Sequence, residues 1–341
     1  MTGGTVGKSC YINSMSEKLL LNQRVAVIRN QYMNSEYINL IVEAPHIIAF
    51  VNDKKNSTND NISMKDIYNF LIPIPSIKQQ ERIVNAFNCI RLIVKRFAQV
   101  QENKEKLQNE IKDKLRKSIL QEAVQGKLVP QIAEEGTAKE LLEQIKAGKQ
   151  KLVKEGKLKK SALNDSIIFK GDDNKYYEQI GKNCVDITEE LPFDLPNNWT
   201  WCRLGNLVSI TSGDNLTSKQ MHNGKIPVYG GNGITGYHSK ANIFEETIVI
   251  GRVGYYCGSI HLTPCQAWVT DNAFITQYSK LLNRDFLIYL LTALNLGKCC
   301  NATAQPVVSG KKIYPLLIAL PPLKEQQRIV AQIEKLFEQL R

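Results

Sequence analysis

Gly231-Asn232-Gly233-Ile234-Thr235-Gly236 has the spacing of a GxGxxG turn, in which glycines let backbone amides at a helix start reach a pyrophosphate. That use needs a helix directly after the turn, and Tyr237-His238-Ser239 opens no helical periodicity. The run therefore reads as a glycine-rich turn in a β-rich domain. Thr2-Gly3-Gly4-Thr5-Val6-Gly7-Lys8-Ser9 falls one residue short of a phosphate-binding loop, because Thr2 stands where the first glycine belongs, and ATP is not expected there. The histidines His46, His222, His238 and His261 form no HExxH or HxxxH pair. The cysteines Cys10, Cys89, Cys184, Cys202, Cys257, Cys265, Cys299 and Cys300 form no CxxC pair. Neither a metal site nor a disulfide framework is expected, and the thiols read as reduced. No Asn/Asp-Pro-Pro-aromatic tetrapeptide is present for methylating a base amino group, and carboxylates such as Asp271 and Asp285 form no nuclease-like cluster with a lysine. The chain is expected not to be an enzyme.

What remains is a set of side chains suited to double-stranded DNA: Lys219, Gln220, His222, Asn223, Lys225, Tyr229, Asn232, Tyr237, His238, Arg252, Lys298, Asn301 and Gln305. Asn and Gln pair bidentately with adenine and Arg or Lys with guanine, while lysines and turn amides take phosphates. The tyrosines fit a core equally well, and Cys299-Cys300 fit as packed thiols. The charge balance agrees with an anionic partner, since 44 Lys and Arg stand against 33 Asp and Glu for a formal +11. No apolar run is long enough to cross a bilayer and no signal-peptide pattern opens the chain, so a cytoplasmic protein without membrane contact is expected.

These side chains sit within a duplicated framework. Ile67-Tyr68, Leu71-Ile72, Pro75, Lys78, Gln80 and Arg82-Ile83-Val84 recur as Ile313-Tyr314, Leu317-Ile318, Pro321, Lys324, Gln326 and Arg328-Ile329-Val330. Upstream, Asn34 to Ile41 resembles Asn283 to Leu290, and Gly4 to Gly7 resembles Gly251 to Gly254. Each copy passes from a strand-like segment, Phe70 to Ile74 or Leu316 to Leu320, through prolines into an apolar helical periodicity. In the first copy Ile83, Phe87, Ile90, Val94 and Phe97, then after a one-residue slip Leu107, Ile111, Leu115 and Ile119, form a coiled-coil seam that requires a partner helix. From Lys78 to about Val124 this helix measures roughly 70 Å at the helical rise.

The spacing predicts a second helix capped by Thr137, with Leu141, Ile145 and Leu152 on one side and Lys146, Lys149, Lys151, Lys154, Lys157, Lys159 and Lys160 on the other. The lysines read first as a solvated face, with direct DNA contact the lesser reading. Residues 161–196 are rich in Asn, Asp, Gly and Lys and read as a linker. After them, short strands (Leu207 to Thr211, Thr247 to Ile250, Ala267 to Thr270) and a helix from Arg284 to Leu294 are predicted. The fold class is α+β: modules of short twisted strands with a few helices, joined to long coiled-coil helices. The expected divisions are 1–76, the C-terminal half of a first copy of the module; 77–160, a helical spacer; 161–196, a linker; 197–322, a second, complete copy; and 323–341, the start of a second long helix.

Several stretches together resemble the specificity subunit of type I restriction-modification systems: Leu115 to Pro130 (LRKSILQEAVQGKLVP), Leu191 to Trp199 (LPFDLPNNW) with Leu204-Gly205, Ile226 to Tyr237, Ile250 to Gly254, Trp268 to Asn272, and the two Pro-x-x-Lys-x-Gln-x-Arg-Ile-Val helix entries. The resemblance implies target recognition domains set apart by long antiparallel helices, each domain reading half of a gapped DNA site. It implies two modification subunits that bring adenosylmethionine and methylate adenine, and restriction subunits that use ATP. On that implication this chain reads sequence and carries no cofactor or catalytic residue. The first recognition domain is expected to lack its first half, as in a fragment of a longer gene. A half-subunit that dimerises through the Lys78 to Val124 helix, or joins a second specificity half, stays open, as does a protein-interaction module that reads no DNA.

Overall fold

The computed structural model describes residues 8–12, 20–22, 25–53, 63–156, 166–301 and 306–341. The chain divides into two compact units, Met1–Gln108 and Asn109–Arg341. The division falls inside a helix rather than at the expected boundary after residue 76, because the last turns of that helix, with Leu120 and Ala123, belong to the core of the second unit.

The first unit contains α1 (Ser35–Val42), α2 (Pro45–Asp53), α3 (Met64–Tyr68) and the first part of α4 (Ile77–Val124). Local chemistry sets the starts. Asn34 Oδ1 accepts from Tyr37 N at 3.0 Å, Pro45 opens α2, and Ser63 with Asp66 makes a capping box on α3. Tyr37, Ile41, Ile47, Val51 and Val84 form the buried cluster. Gln80 closes it: its Oε1 accepts from Asn34 N at 2.9 Å and its Nε2 donates to Pro75 O at 2.8 Å.

The second unit repeats this lock. Gln326 Oε1 accepts from Asn283 N at 2.9 Å, Gln326 Nε2 donates to Pro321 O at 3.0 Å, and Asn283 Oδ1 accepts from Phe286 N at 2.9 Å. The duplication visible in the sequence is thus a duplication of hydrogen bonds.

The second unit continues with α5 (Ala138–Lys154), β1 (Ile167–Lys170), β2 (Tyr176–Ile180), β3 (Asn183–Asp186), β4 (Thr200–Arg203), α6 (Leu204–Leu207) and β5 (Val208–Ser212). There follow β6 (Ile226–Gly230), β7 (Gly233–His238), β8 (Ile248–Gly251), β9 (Ile260–Leu262), β10 (Trp268–Val269), β11 (Ala273–Tyr278), α7 (Arg284–Leu294), α8 (Gly310–Ile313), β12 (Leu317–Leu320) and α9 (Leu323–Gln339). Strand orders are β1-β2-β3, β10-β6-β7, β5-β11-β8-β9 and β12-β4. One core of Trp199, Trp201, Phe286, Leu290, Ile318, Ile329 and Ile333 packs α7 and α9 with the β4–β12 pair, and a smaller cluster of Tyr229, Val249, Val269 and Ala273 lies among the other strands.

Several sequence expectations change. The stretch read as a linker contains the antiparallel β1-β2-β3 sheet: its Asn, Asp and Gly residues are hairpin turns, with Asn174 and Gly181 in the left-handed region. Arg203 ties this sheet to β4. Its guanidinium forks onto the buried Glu178 carboxylate, with Nε 3.1 Å from both oxygens, and reaches Glu190 at 3.0 Å and Pro315 O at 2.8 Å.

The strand-like segment of the first copy also differs from its counterpart. Leu317–Leu320 is paired by β4, with Ile318 opposite Cys202, whereas Leu71 to Ile74 forms no strand and leaves Leu71 89% and Ile74 69% exposed. The thiols correct a further expectation: Cys257 and Cys300 are joined in a disulfide, Cα atoms 6.6 Å apart. A Cβ on Gly258 would lie 2.3 Å from Gly297 N, so glycine at this point brings the two segments into contact.

α4 follows the predicted span closely. Within the second unit it runs antiparallel to α9, since Lys112 Nζ donates to Arg341 O at 2.8 Å while Arg116 lies 6.0 Å from the Phe337 ring. The seam residues Ile83, Phe87, Ile90, Val94, Phe97, Leu107, Ile111 and Leu115 are exposed, and Ile119 packs partly on the core.

The basic helix α5 starts as predicted, Thr137 Oγ1 accepting from Glu140 N at 3.4 Å. One of its lysines leaves the solvated face. Lys149 is buried and donates to Gly205 O at 2.9 Å and Val208 O at 3.4 Å, capping α6. Lys157, Lys159 and Lys160 lie outside the described residues. Desolvation pulls the Lys149 ammonium down to about 8, and burial pushes the neighbouring Cys202 thiol up to about 12. A lysine lowered in the folded state binds fewer protons there than in the unfolded chain between about 8 and its ordinary value of 10.5. Folding stability should therefore rise by roughly 1 kcal/mol from pH 8 to about 9 and then level off toward 10.5, because above 9 the raised Cys202 thiol keeps a proton that the unfolded chain loses. Urea denaturation across that range checks this, and Lys149→Met should flatten the rise.

Candidate nucleic-acid interface

The β6–β7 hairpin organises the residues that suit DNA. Its register shifts between Val228 and Tyr229, a bulge that twists the tip at Gly231-Asn232. The glycines of the GxGxxG run serve sheet packing: a Cβ on Gly231 would lie 2.0 Å from Val253 O, and Gly233 takes φ +77° at the turn. Asn232 is exposed at the tip and Tyr237 on the returning strand.

Residues 213 to 225 hang from this hairpin. His238 Nδ1 accepts from His222 N at 3.0 Å, the two rings stack 5.7 Å apart, and Trp268 meets His238 edge-on at 5.3 Å. The loop presents Lys219, Gln220, His222, Asn223 and Lys225 to solvent. Gln220 also makes a local cap, its Oε1 accepting from Thr217 N at 3.0 Å and Thr217 Oγ1 at 2.9 Å, so its amide nitrogen is the end left to reach outward.

Two of the predicted contact residues point into the fold. Tyr229 is buried with its hydroxyl donating to Leu262 O at 3.3 Å, and His238 is buried beneath the loop it supports. Both act as scaffolding. Alternation along an isolated sequence does not say which face of a hairpin meets the second sheet, and here that sheet lies on the Tyr229 side. Gln305 lies outside the described residues.

A second cluster surrounds the segment after β8. Arg252 is half-buried, donating to Ser212 Oγ at 3.0 Å and Asp271 O at 3.2 Å with its guanidinium 5.4 Å from the Phe274 ring. Lys298 is exposed, and Asn301 Oδ1 accepts from Lys312 Nζ. Between the hairpin tip and this segment lies a cleft of about 410 Å³ lined by Ser218, Asn232, Thr235, Gly254, Thr270 and Asn272 among others. Hydroxyls, amides and close backbone there offer donors and acceptors of the kind that read base edges. Thr270 and Asn272 lie in the Trp268 to Asn272 stretch that carries the family resemblance, but like Ser218 they were not among the expected DNA contacts, because short polar residues in turns carry no contact signal of their own. Burial lowers the proton affinity of His261, whose Nε2 lies 3.0 Å from Ser259 Oγ, so this ring adds no cation to the cluster near neutral pH. Among the described residues no group of His, Cys, Asp and Glu could hold a metal ion, and no helix is long and apolar enough to cross a membrane.

Comparison with known proteins gives a consistent picture. Residues 196–341 match the family model of the type I restriction modification DNA specificity domain. Over 137 residues the chain is 28% identical to the Type I restriction enzyme EcoprrI specificity subunit of Escherichia coli, covering 39% of this chain and 34% of that one. Over 261 residues it is 27% identical to the Type I restriction enzyme EcoAI specificity subunit of the same organism, covering 66% of this chain and 40% of that one. The chain thus spans less than half the length of these two relatives. In fold it is similar to a chain solved in work on complex assembly and conformational transition of the type I R-M system, with a TM-score of 0.50, 18% identity, and coverage of 91% of this chain and 65% of that chain.

Proposed function

We propose that this chain, which carries a type I restriction-modification DNA specificity domain over residues 196–341, is the sequence-reading component of such a system. The observation that carries the reading is that this domain presents Lys219, Gln220, His222, Lys225, Asn232 and Tyr237 on one hairpin and its hanging loop. Lysines there hold phosphates, and the amides with the cleft beside Asn232 and Asn272 read base edges. One domain reads one half of a gapped site in double-stranded DNA. Adenosylmethionine and ATP belong to modification and restriction subunits, and the work of this chain is to dock them.

A second role for α4 is supported by its exposed row of Phe87, Ile90, Val94 and Phe97. Apolar side chains at that spacing fit a partner helix in a modification subunit, a second specificity half or another copy of this chain. If that were the whole function, the chain would bind protein and read no DNA.

The deciding experiment expresses the chain with its modification subunit in a host lacking adenine methylation and maps methyl-adenine across the genome. A gapped motif with identical inverted halves supports reading by a two-fold pair of this domain. Unlike halves indicate a second reader, and absence of methylation from an assembled, folded complex sinks the proposal. In binding titrations, Lys219→Ala and Lys225→Ala should each weaken affinity evenly across sequences and lower the salt slope by about one. Asn232→Ala should instead relax preference at one base pair, a loss of about 1–3 kcal/mol in discrimination.

A further inference from the structure

The turn after β8 carries two side chains that neither the core nor the hairpin interface uses. Gly254 to Cys257 forms a β-turn, Cys257 N donating to Gly254 O at 3.0 Å, so Tyr255 and Tyr256 occupy its two central positions. They are 87% and 54% exposed, with ring centroids 4.9 Å apart at 85°. A pair of large apolar rings held in water is unusual on a fixed element.

The turn is fixed at every side. Gly254 N donates to Pro306 O at 2.9 Å, Gly258 N to Gly251 O at 2.7 Å, and Ser259 N to Tyr256 O at 3.1 Å. Cys257 is buried and disulfide-bonded to Cys300. The tyrosines therefore project from a braced base.

Their surroundings are cationic. The disulfide and the Gly258–Gly297 contact set the turn beside Lys298. Val253 bridges Val307, Val308 N donates to Arg252 O at 3.0 Å, and Lys311 and Lys312 follow in α8. Neither Ile248 to Thr263 nor Asn295 to Lys312 contains an Asp or Glu. Aromatic tips flanked by two basic segments that themselves carry no carboxylate match a partner that offers stacked rings between phosphates.

We propose that the Tyr255-Tyr256 turn is an aromatic wedge that packs against a base step of duplex DNA, while Lys298 and Lys312 hold the flanking phosphates. This rests on the reading of the second unit as a DNA reader and adds a contact of a different kind. Wedging side chains gain by stacking and by bending the duplex onto more protein.

The test uses the full chain and a fluorescently labelled duplex that it selects from a random-sequence pool, titrated by anisotropy at several salt concentrations. The double variant Tyr255→Ala/Tyr256→Ala should lose at least tenfold in affinity with an unchanged salt slope, because no charge is removed. Tyr255→Phe/Tyr256→Phe should bind like the unaltered chain, and both variants should melt like it since the tips touch little. Failure of the unaltered chain to select any duplex overturns the DNA-reading function and this inference together. Selection and binding that the alanine variant retains within twofold overturn the wedge alone, as does a loss that appears only as a reduced salt slope.

Discussion

Glu325→Ala should lower the stability of the second unit by about 3–5 kcal/mol, the largest single loss expected for any one carboxylate in it. Glu325 is fully buried at the start of α9, and its Oε1 accepts from Gln131 Nε2 at 2.8 Å and Trp199 Nε1 at 2.9 Å while Oε2 accepts from Asn198 Nδ2 at 3.0 Å. Truncation strands three donors, one an indole N–H inside the core, and leaves a void. Glu325→Gln keeps an acceptor for two donors but turns an amide NH₂ toward Asn198, so its cost should be intermediate. The corresponding position in the first copy is Gln79, which is exposed, and Gln79→Ala should stay within about 0.5 kcal/mol. Urea denaturation of the three variants measures the ordering. A Gln79 effect as large as that of Glu325 would show that the two helix entries are loaded alike.

Arg203→Met should cost about 3 kcal/mol and change how the fold meets acid. The guanidinium beside Glu178 holds that carboxyl below the ordinary carboxylate range, burial opposing it and Ser166 adding a hydrogen bond. A depressed carboxylate stabilises the fold above its unfolded value near 4.5, and that stabilisation is lost as pH falls. The unaltered chain should therefore lose stability in moderate acid. In Arg203→Met the carboxylate is buried without its cation, protonation relieves it, and stability should stay level or rise over the same descent. Denaturation between pH 6 and about 3.5 separates the two slopes, and parallel slopes would remove Arg203 as the cause. The β1-β2-β3 sheet hangs on this pair, so protease nicking near residues 171 to 183 should increase in the variant.

The helices were legible because their signals are local. Asn283 caps α7, whose observed Arg284–Leu294 span coincides with its apolar periodicity, and Thr137 caps α5 in the same way. The three-stranded sheet was hidden because its strands are four or five residues long and its turns are made of the Asn, Asp, Gly and Lys that also compose linkers. Lys149 looked like its solvated neighbours since only the arrival of the Gly205 and Val208 carbonyls distinguishes it. In the candidate interface, the loop of Lys219 to Lys225 was legible by residue type. The inward turn of Tyr229 and His238 and the Cys257–Cys300 link across 43 residues depend on which sheets meet, and spacing along a chain does not encode that.

The asparagine–glutamine lock has a consequence for synthesis on the ribosome. In the first copy it joins residues 46 apart and in the second 43 apart, so each can close once a few dozen residues have emerged, at little loop entropy. The pairing of β4 with β12 is different: the Arg203 contact to Pro315 spans 112 residues. At typical translation rates that interval lasts on the order of ten seconds. For that time β4, with Trp201 on the strand and Trp199 just before it, has no β12 to pair with, and the newborn chain is at its most attractive to chaperones while its earlier module already stands folded.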